Sequence, residues 1–395
     1  MLNKIIGGSL LIIGTSIGGG MLALPIATAS GGYLHAFWLF LGAWLITLIG
    51  AFLILEVNLW LPERTNMISM ARTTLGPAGQ IITWLSYLIL LYALLAAYIA
   101  GGTDLLDTFF QKVLNFSTPH WIDSILFVLL FGGIVHCGIF FIDWTNRGLM
   151  TIKLVAFLLL TIFIFPHIDL PHLEGGKFTL LTGAIMVIIT SFGYATVIPS
   201  LRAYFKSDIK SLRLTIAIGS SIPLICYLLW NISVQGTVDK TKLISMASSD
   251  HSISDLTRIL SQVVKTNIVF DAAHVFTTIC VTTSFLGVSL CLSDFLADGI
   301  HAKHNLKDRW LVTLSTFAPP LLIVVFFPGT FIEALNYAGI ICVILLMLLP
   351  ALMTWSGRYV KKIATGYELI GGKFLVGFEI LISIILIAVA VYQVF

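Results

Sequence analysis

Along almost the whole chain, apolar residues come in runs of about 20 separated by short polar punctuation. Eleven such runs can be drawn, at approximately 5–30, 34–60, 80–106, 121–142, 149–166, 179–201, 212–234, 268–296, 309–327, 331–355 and 373–394. Each has the length and polarity of a membrane-spanning helix, and the loops between them are mostly too short for soluble domains. The longest polar stretch is 235–267, with amphipathic character around Ile253–Val264. It predicts a short helix on the membrane surface or over a vestibule. Residues 1–30 carry Lys4 ahead of an apolar run and Ala27-Thr28-Ala29 after it, the outline of a secretory signal. The interruption at Gly18-Gly19-Gly20 and the span that follows at once favour a first membrane span instead.

Composition agrees with this pattern. Of 395 residues, 58% are hydrophobic and 10% charged, with a mean hydropathy of +1.01. Soluble domains carry roughly 25% charged residues, so a soluble enzyme and a disordered chain are excluded. The five cysteines (Cys137, Cys226, Cys280, Cys291 and Cys342) are odd in number and lie in apolar stretches, so they read as small buried hydrophobes rather than a disulfide framework.

The placement of positive charge predicts orientation. With the N-terminus in the cytoplasm, 16 basic residues fall inside: Lys4, Arg64, Arg72, Arg147, Lys153, Arg202, Lys206, Lys210, Arg213, Lys303, Lys307, Arg309, Arg358, Lys361, Lys362 and Lys373. Six fall outside: Lys112, Lys177, Lys240, Lys242, Arg258 and Lys265. This bias follows the positive-inside rule. An odd number of spans then leaves the C-terminus on the far side.

Two spans differ from the rest. The first contains Gly14-Thr15-Ser16-Ile17-Gly18-Gly19-Gly20 and then Pro25. The sixth contains Thr190-Ser191-Phe192-Gly193-Tyr194-Ala195-Thr196-Val197-Ile198-Pro199. Both read Thr-Ser-x-Gly followed by proline, and Thr15 and Thr190 lie 175 residues and five spans apart. The chain therefore divides into two halves of five spans, about 5–166 and 179–355, plus an extra helix at 373–394, all in one membrane domain. Glycine and proline weaken a helix, and an unwound stretch at membrane depth is tolerated only where protein, water or a ligand satisfies its backbone. Half-helix N-termini suit an anion and freed carbonyls a cation. Interrupted spans at matching positions in two halves point to a transporter's binding site. Small residues also serve close helix packing, which is the competing reading.

These residues also carry a resemblance. Gly14 to Pro25 (GTSIGGGMLALP) is similar to the first-span signature of the hydroxy/aromatic amino acid permease family, and within it to the bacterial tyrosine-specific branch. Supporting matches are Leu55-Glu56-Val57, Tyr92-Ala93-Leu94, Ala97-Tyr98-Ile99, Thr190-Ser191-Phe192-Gly193 with Ile198-Pro199-Ser200, Ser284-Phe285-Leu286-Gly287-Val288 with Asp294 and Leu296-Ala297-Asp298, and Leu352-Met353-Thr354-Trp355. The resemblance implies the amino acid–polyamine–organocation superfamily and its LeuT-type fold, an inverted 5+5 repeat among eleven helices with substrate at the midplane. It implies import of tyrosine, tryptophan, phenylalanine or serine/threonine across a bacterial inner membrane on a proton gradient, without a cofactor. Gly193-Tyr194-Ala195-Thr196 replaces a Phe-His common in tyrosine-specific relatives, and Gly19 a frequent alanine. These departures leave the exact substrate open.

On this reading, Thr15, Ser16, Ile17, Gly18, Gly19 and Gly20 hold the carboxylate and ammonium of the substrate. Ser191, Phe192, Gly193 and Tyr194 complete the clamp. Phe192, Tyr194, Tyr92, Tyr98 and Phe285 are candidates for an aromatic wall, with ordinary helix packing as the alternative for each. Lys153 stands about one turn inside the fifth span, where desolvation disfavours the charged amine, so it is the expected proton-coupling group. The alternative is a lysine reaching back to the interface. Thr282, Thr283 and Ser284 form a hydroxyl cluster in a span that binds sodium in related proteins, which keeps sodium open as coupling ion; helix–helix bonding is the other reading. Glu56, Asp294, Asp298 and the Asp143–Arg147 pair read as inner gate or anchoring charges, and Glu333 as part of an outer gate. Asn336 and Tyr337 read as packing. His136 and His274 are lone histidines, so no metal is expected. No filter motif, no convergent catalytic set and no appended sensory domain appears, which sets a transporter above a channel, a membrane enzyme or a receptor. The expected partners are an amino acid and the bilayer, with no nucleic acid and no obligate protein partner.

Overall fold

The computed structural model describes the backbone of residues 2–63, 65–115, 118–137, 139–247, 249, 251–264, 267–299 and 306–394. Arg64, Lys112, Cys137, Asp143, Arg147, Lys265 and Lys303 lie outside the residues whose side chains are described.

The described chain is helical. In order the helices are α1 Leu2–Ser16, α2 Gly19–Thr28, α3 Tyr33–Leu59, α4 Met67–Leu114, α5 His120–Cys137, α6 Ile139–Ile164, α7 Leu170–Leu173, α8 Ala184–Ser191 and α9 Ile198–Phe205. Then follow α10 Ile209–Thr237, α11 Lys240–Met246, α12 Ser252–Val264, α13 Asn267–Gly299, α14 Leu306–Phe326, α15 Phe331–Val343, α16 Leu349–Trp355 and α17 Gly372–Val394. Nine described helical stretches are long and apolar enough to cross a membrane, and the bent pair α1–α2 makes a tenth. The expected fourth span falls on α5, whose 18 residues reach about 27 Å, slightly short of a hydrocarbon core of roughly 30 Å. The outer surface is itself apolar, with Leu129, Ile162 and Phe326 each more than 60% exposed, as lipid requires.

Several boundaries differ from the sequence expectation. Helix α4 begins at Met67, but Gly76 (φ +82°, ψ −166°) leaves the helical region, so a short helix meets the third span at a kink there, and the span itself starts at Pro77, close to the expected 80. Helix α6 begins ten residues before the expected 149, at Ile139. The sixth span is not one helix: α8 ends at Ser191, a tight turn of helix covers Gly193–Val197, and α9 starts at Ile198 with Pro199 in its first turn. The tenth span is α15 and α16 joined by a π-helical stretch, Ile344–Leu348, with a second at Ser356–Val360. The polar stretch 235–267 holds two short helices, α11 and α12.

Packing relates the halves. Helix α1 lies against the Gly193–Val197 turn and α2 against α8, so the first and sixth spans run antiparallel. The most extensive pairings are α13 with α6 and α15 with α4, that is, spans 8 with 5 and 10 with 3. Moving every span by five exchanges these two pairings.

Helix α12 packs against α13 and α4. Asp104, near the end of the long α4, accepts from the Ile253 and Ser254 amides at 3.1 Å each, capping α12 from another helix. His251 Nδ1 lies 3.2 Å from Asp104 Oδ1 and 3.8 Å from Asp107 Oδ2. The hydrogen bond to Asp104 is the main cause that pushes the imidazole up to about 9. The folded chain thus favours the charged ring. Its contribution is complete below the ordinary imidazole range near 6.5 and disappears as pH rises through about 9. The melting temperatures of the wild type and a His251→Asn variant should therefore converge as pH is raised from about 6 to about 10, while a constant gap would show that charge is not involved.

Candidate functional site

The two helix breaks meet at the centre of the bundle. In the first, the Ile17 amide still closes a helical bond to the Ile13 carbonyl at 2.8 Å, and Gly18 then steps into extended backbone (φ −150°, ψ −154°). Helix restarts at Gly19, and the two halves diverge by 54°. None of these glycines needs a left-handed conformation; close approach is the constraint. A Cβ on Gly18 would lie 2.2 Å from Ser284 Oγ, one on Gly19 2.7 Å from the Tyr98 ring, and one on Gly20 3.0 Å from Ser191 Oγ. The Gly19 amide donates to Ser284 Oγ at 3.0 Å. The three glycines thus let α13, α4 and the second break close directly on the backbone of the first.

The carbonyls freed by the break find two polar partners. Lys153 is fully buried, and its Nζ donates to the Ile17 carbonyl at 2.6 Å. Thr283 Oγ1 lies 3.4 Å from the same nitrogen, with its own proton directed to the Ile279 carbonyl at 2.8 Å. Tyr227 is also fully buried. Its hydroxyl lies 2.7 Å from the Ser16 carbonyl in the first break and 2.7 Å from the Ser191 carbonyl in the second. With one proton, it donates to one of them at a time. Phe192, in the second break, packs edge-on against the Tyr227 ring at 5.1 Å. Gly193 faces Cys342 of α15, with a Cβ position 3.8 Å from Sγ, and Thr190 Oγ1 donates to the Leu335 carbonyl at 2.8 Å.

Ser16, Ile17, Gly18, Gly19, Gly20, Tyr98, Lys153, Ser191, Phe192, Thr283 and Ser284 are therefore brought together. Other expected residues are placed elsewhere. Thr15 is exposed, and its hydroxyl turns back to the Leu11 and Ile12 carbonyls. Ser191 Oγ likewise donates to the Val187 carbonyl. The Tyr92 hydroxyl donates to the Ser315 carbonyl of α14 at 2.6 Å, a helix-packing contact. Phe285 sits in an aromatic cluster with Phe127, Phe131 and Phe317. Thr282 lines an apolar cavity of about 190 Å³ with Gly102, Phe127 and Phe131. Tyr194 is fully buried beside Ser220 and Thr47.

Of the gate candidates, Glu56 is wholly buried and forms a two-pronged pair with Arg358, Nε to Oε1 and Nη2 to Oε2 at 2.6 Å each. The Leu369 amide donates to the same carboxylate at 2.8 Å. This ties the end of the second span to the end of the tenth. Asp294 is exposed near the end of α13; of the basic residues expected beside it, Lys303 lies outside the described residues, whereas Lys307 and Arg309 stand in the first turn of α14. Glu333, Asn336 and Tyr337 line a cavity of about 290 Å³ at the far end of α15. His136 Nδ1 contacts Thr313 Oγ1 at 2.9 Å, and His274 Nδ1 lies 3.5 Å from Thr278 Oγ1. Among the described residues, no cluster of His, Cys, Asp or Glu is placed to hold a metal ion.

Tyr227 escaped the sequence reading because Cys226-Tyr227-Leu228 is an unmarked point in an apolar run. Its one signal was a phenol at membrane depth, which requires a partner. Arg358 was counted for orientation alone.

With this geometry in view, comparison with known proteins is decisive. The tryptophan/tyrosine permease family profile matches residues 1–390. The chain belongs to that family. Relatives include a tyrosine-specific transport system 1 of Haemophilus influenzae, 33% identical over 90% of this chain and 89% of the relative. A tyrosine-specific transport system 2 of the same organism is 29% identical over 98% and 96%. A glutamine transporter 2 of Aliivibrio fischeri is 30% identical over 97% and 98%. This permease is thus a multi-pass membrane transport protein rather than an enzyme.

Because the Tyr227 hydroxyl serves both breaks, Tyr227→Phe keeps the ring and removes the donor. Leaving a buried carbonyl unpaired costs about 1–3 kcal/mol, so the variant should melt measurably lower in detergent or nanodiscs. An unchanged melting temperature would show that the carbonyls find other donors.

Proposed function

We propose that this permease imports an aromatic amino acid, with tyrosine the leading substrate, by proton symport through alternating access. The observation that carries the reading is the Lys153 ammonium on the Ile17 carbonyl, inside the first helix break. An ammonium bonded to the carbonyl of one broken span and beside a hydroxyl of the eighth takes the place where a sodium ion would need those same oxygens. This favours the proton over sodium.

The chemistry follows from the bonds. A protonated Lys153 holds the break closed against α13. A hydrogen bond to a charged donor contributes about 1.5–3 kcal/mol net. Loss of that charge then shifts a conformational equilibrium about ten- to a hundredfold. The substrate carboxylate is expected at the N-terminus of α2, where Gly18–Gly20 leave the backbone bare and Ser284 now occupies the Gly19 amide. Its ammonium suits the carbonyls of the second break. Tyr98 at the first break, Phe192 in the second and Tyr227, whose hydroxyl reaches both, are the aromatic residues brought to them.

The antiparallel first and sixth spans, and pairings exchanged by a shift of five, support the LeuT-type inverted repeat of 5–166 and 179–355, with α5 as its fourth span and α17, the eleventh span, outside the repeat. The basic residues Arg202 and Arg358 at the Glu56 end, against Arg258 on α12 at the other, support a cytoplasmic N-terminus in a bacterial inner membrane. The glutamine transporter among the relatives favours one second reading, a neutral amino acid substrate.

Uptake in proteoliposomes tests this, with radiolabelled tyrosine, tryptophan, phenylalanine, serine and glutamine under separately imposed proton and sodium gradients. Tyrosine should accumulate on the proton gradient. Lys153→Gln should reduce that accumulation about tenfold or more while leaving exchange without a gradient. Undiminished accumulation in the variant removes Lys153 from coupling, and accumulation on sodium alone replaces the proton.

A further inference from the structure

Helix α17 stands outside the proposed repeat, yet it carries the most costly unexplained group in the bundle. Its inward stripe is Val376, Glu379, Ser383, Leu386 and Ala390, spaced three or four residues apart and at most 8% exposed. Leu381, Ile384 and Ile385, on its other faces, are exposed. Glu379 itself is 0% exposed, and neither carboxyl oxygen has a hydrogen-bond partner among the described residues. The nearby Ser383 hydroxyl is spent on the backbone carbonyl of Glu379, at 2.7 Å.

The elements packed most closely on α17 are α3, α15, α16 and the π-helical stretch Ile344–Leu348. The last two carry no titratable side chain. Helix α3 offers Tyr33, His35 and Glu56, and Glu56 is bound to Arg358. Helix α15 offers Glu333, Tyr337 and Cys342, and α17 itself adds Lys373 and Tyr392; the segment leading into α17 adds Tyr359, whose ring lies 5.2 Å from Lys373 Nζ, and Tyr367 and Glu368 just before Leu369, which packs beside Val376. No described bond joins any of them to the Glu379 carboxyl. A lone carboxylate in such surroundings costs several kcal/mol, whereas the neutral acid costs far less and can donate its proton to a nearby carbonyl. A π-helical stretch loosens the regular carbonyl ladder and recurs at functional sites.

We propose that Glu379 is a proton-binding site, loaded in this conformation, through which proton movement acts on the tenth span. The idea rests on the proton-driven reading above. The tenth span is clasped from two sides. On one, Thr190 and Gly193 of the second break meet Leu335 and Cys342. On the other, α17 packs along the π-helical stretch, and Gly50 of α3 approaches so closely that a Cβ would lie 2.3 Å from the Leu346 carbonyl. Loss of the Glu379 proton places an unpaired charge in this seam. Parting of α17 from the tenth span admits water to it and loosens that span's hold on the substrate break.

Two measurements on the full-length protein in lipid decide this. Infrared spectroscopy of wild type against Glu379→Gln at neutral pH should show the carbonyl stretch of one protonated carboxyl, lost in the variant; superimposable spectra overturn the proposal. In proteoliposomes, Glu379→Gln should keep tyrosine exchange without a gradient and lose about tenfold or more of proton-driven accumulation. Unchanged accumulation overturns the coupling role, and loss of exchange as well assigns Glu379 to the fold and overturns it too. If the wild type fails to accumulate tyrosine on a proton gradient, the transport reading falls by itself, and the infrared band still decides whether Glu379 holds a proton.

Discussion

Everything at the centre of this bundle depends on one constraint: a carbonyl freed from a helix at membrane depth must find a donor within the protein or on a ligand. Two broken spans free several such carbonyls. At Ser16 and Ile17 the donors are the Tyr227 hydroxyl and the Lys153 side-chain nitrogen. Both side chains are fully buried, and both arrive from helices other than the one they satisfy. The break is therefore stable only in the assembled bundle.

In the proton-driven reading, titratable or single-proton donors make the break adjustable. A backbone amide would satisfy a carbonyl permanently. An ammonium does so with a strength that depends on its charge. A phenol between two carbonyls of separate spans satisfies one and leaves the other open. Glycines at 18, 19 and 20 complement these donors, because only a bare backbone lets Ser284, Tyr98 and Ser191 close against it. Away from the centre, the design is firmer. The Glu56–Arg358 pair is fully satisfied by two bonds and a backbone amide, and it suits a fixed tie between the second and tenth spans rather than a loose surface charge.

How much of this could be read in advance depended on the range of each interaction. Most of the spans were legible because each is set by some 20 consecutive apolar residues. The two breaks were legible because glycine and proline act on their own backbone. Lys153 was legible because a charge inside an apolar run has few cheap explanations. Helix ends were less so: a short helix precedes the third span across the kink at Gly76, and α6 starts at Ile139, since polar residues in a helix extension cost little once it leaves the lipid. The aromatic wall divided. Tyr98 and Phe192 meet the breaks, whereas Tyr92 and Phe285 face α14 and the neighbouring phenylalanines. Helical rotation and neighbour identity decide that division, and neither is a local property.

The sequence by itself therefore determined a polytopic helical membrane protein, the place of its two breaks, its bias of basic charge and the family signature that runs through its first span. These are properties of contiguous residues and of their transfer into lipid. Only the tertiary structure decided which donors reach the broken carbonyls, that Tyr227 serves both, that Glu56 is held by Arg358, and that Glu379 is left without a partner. Those outcomes depend on which helix face meets which, across separations such as the 211 residues between Ser16 and Tyr227. Packing of the whole bundle sets such meetings, and no short stretch of sequence contains them.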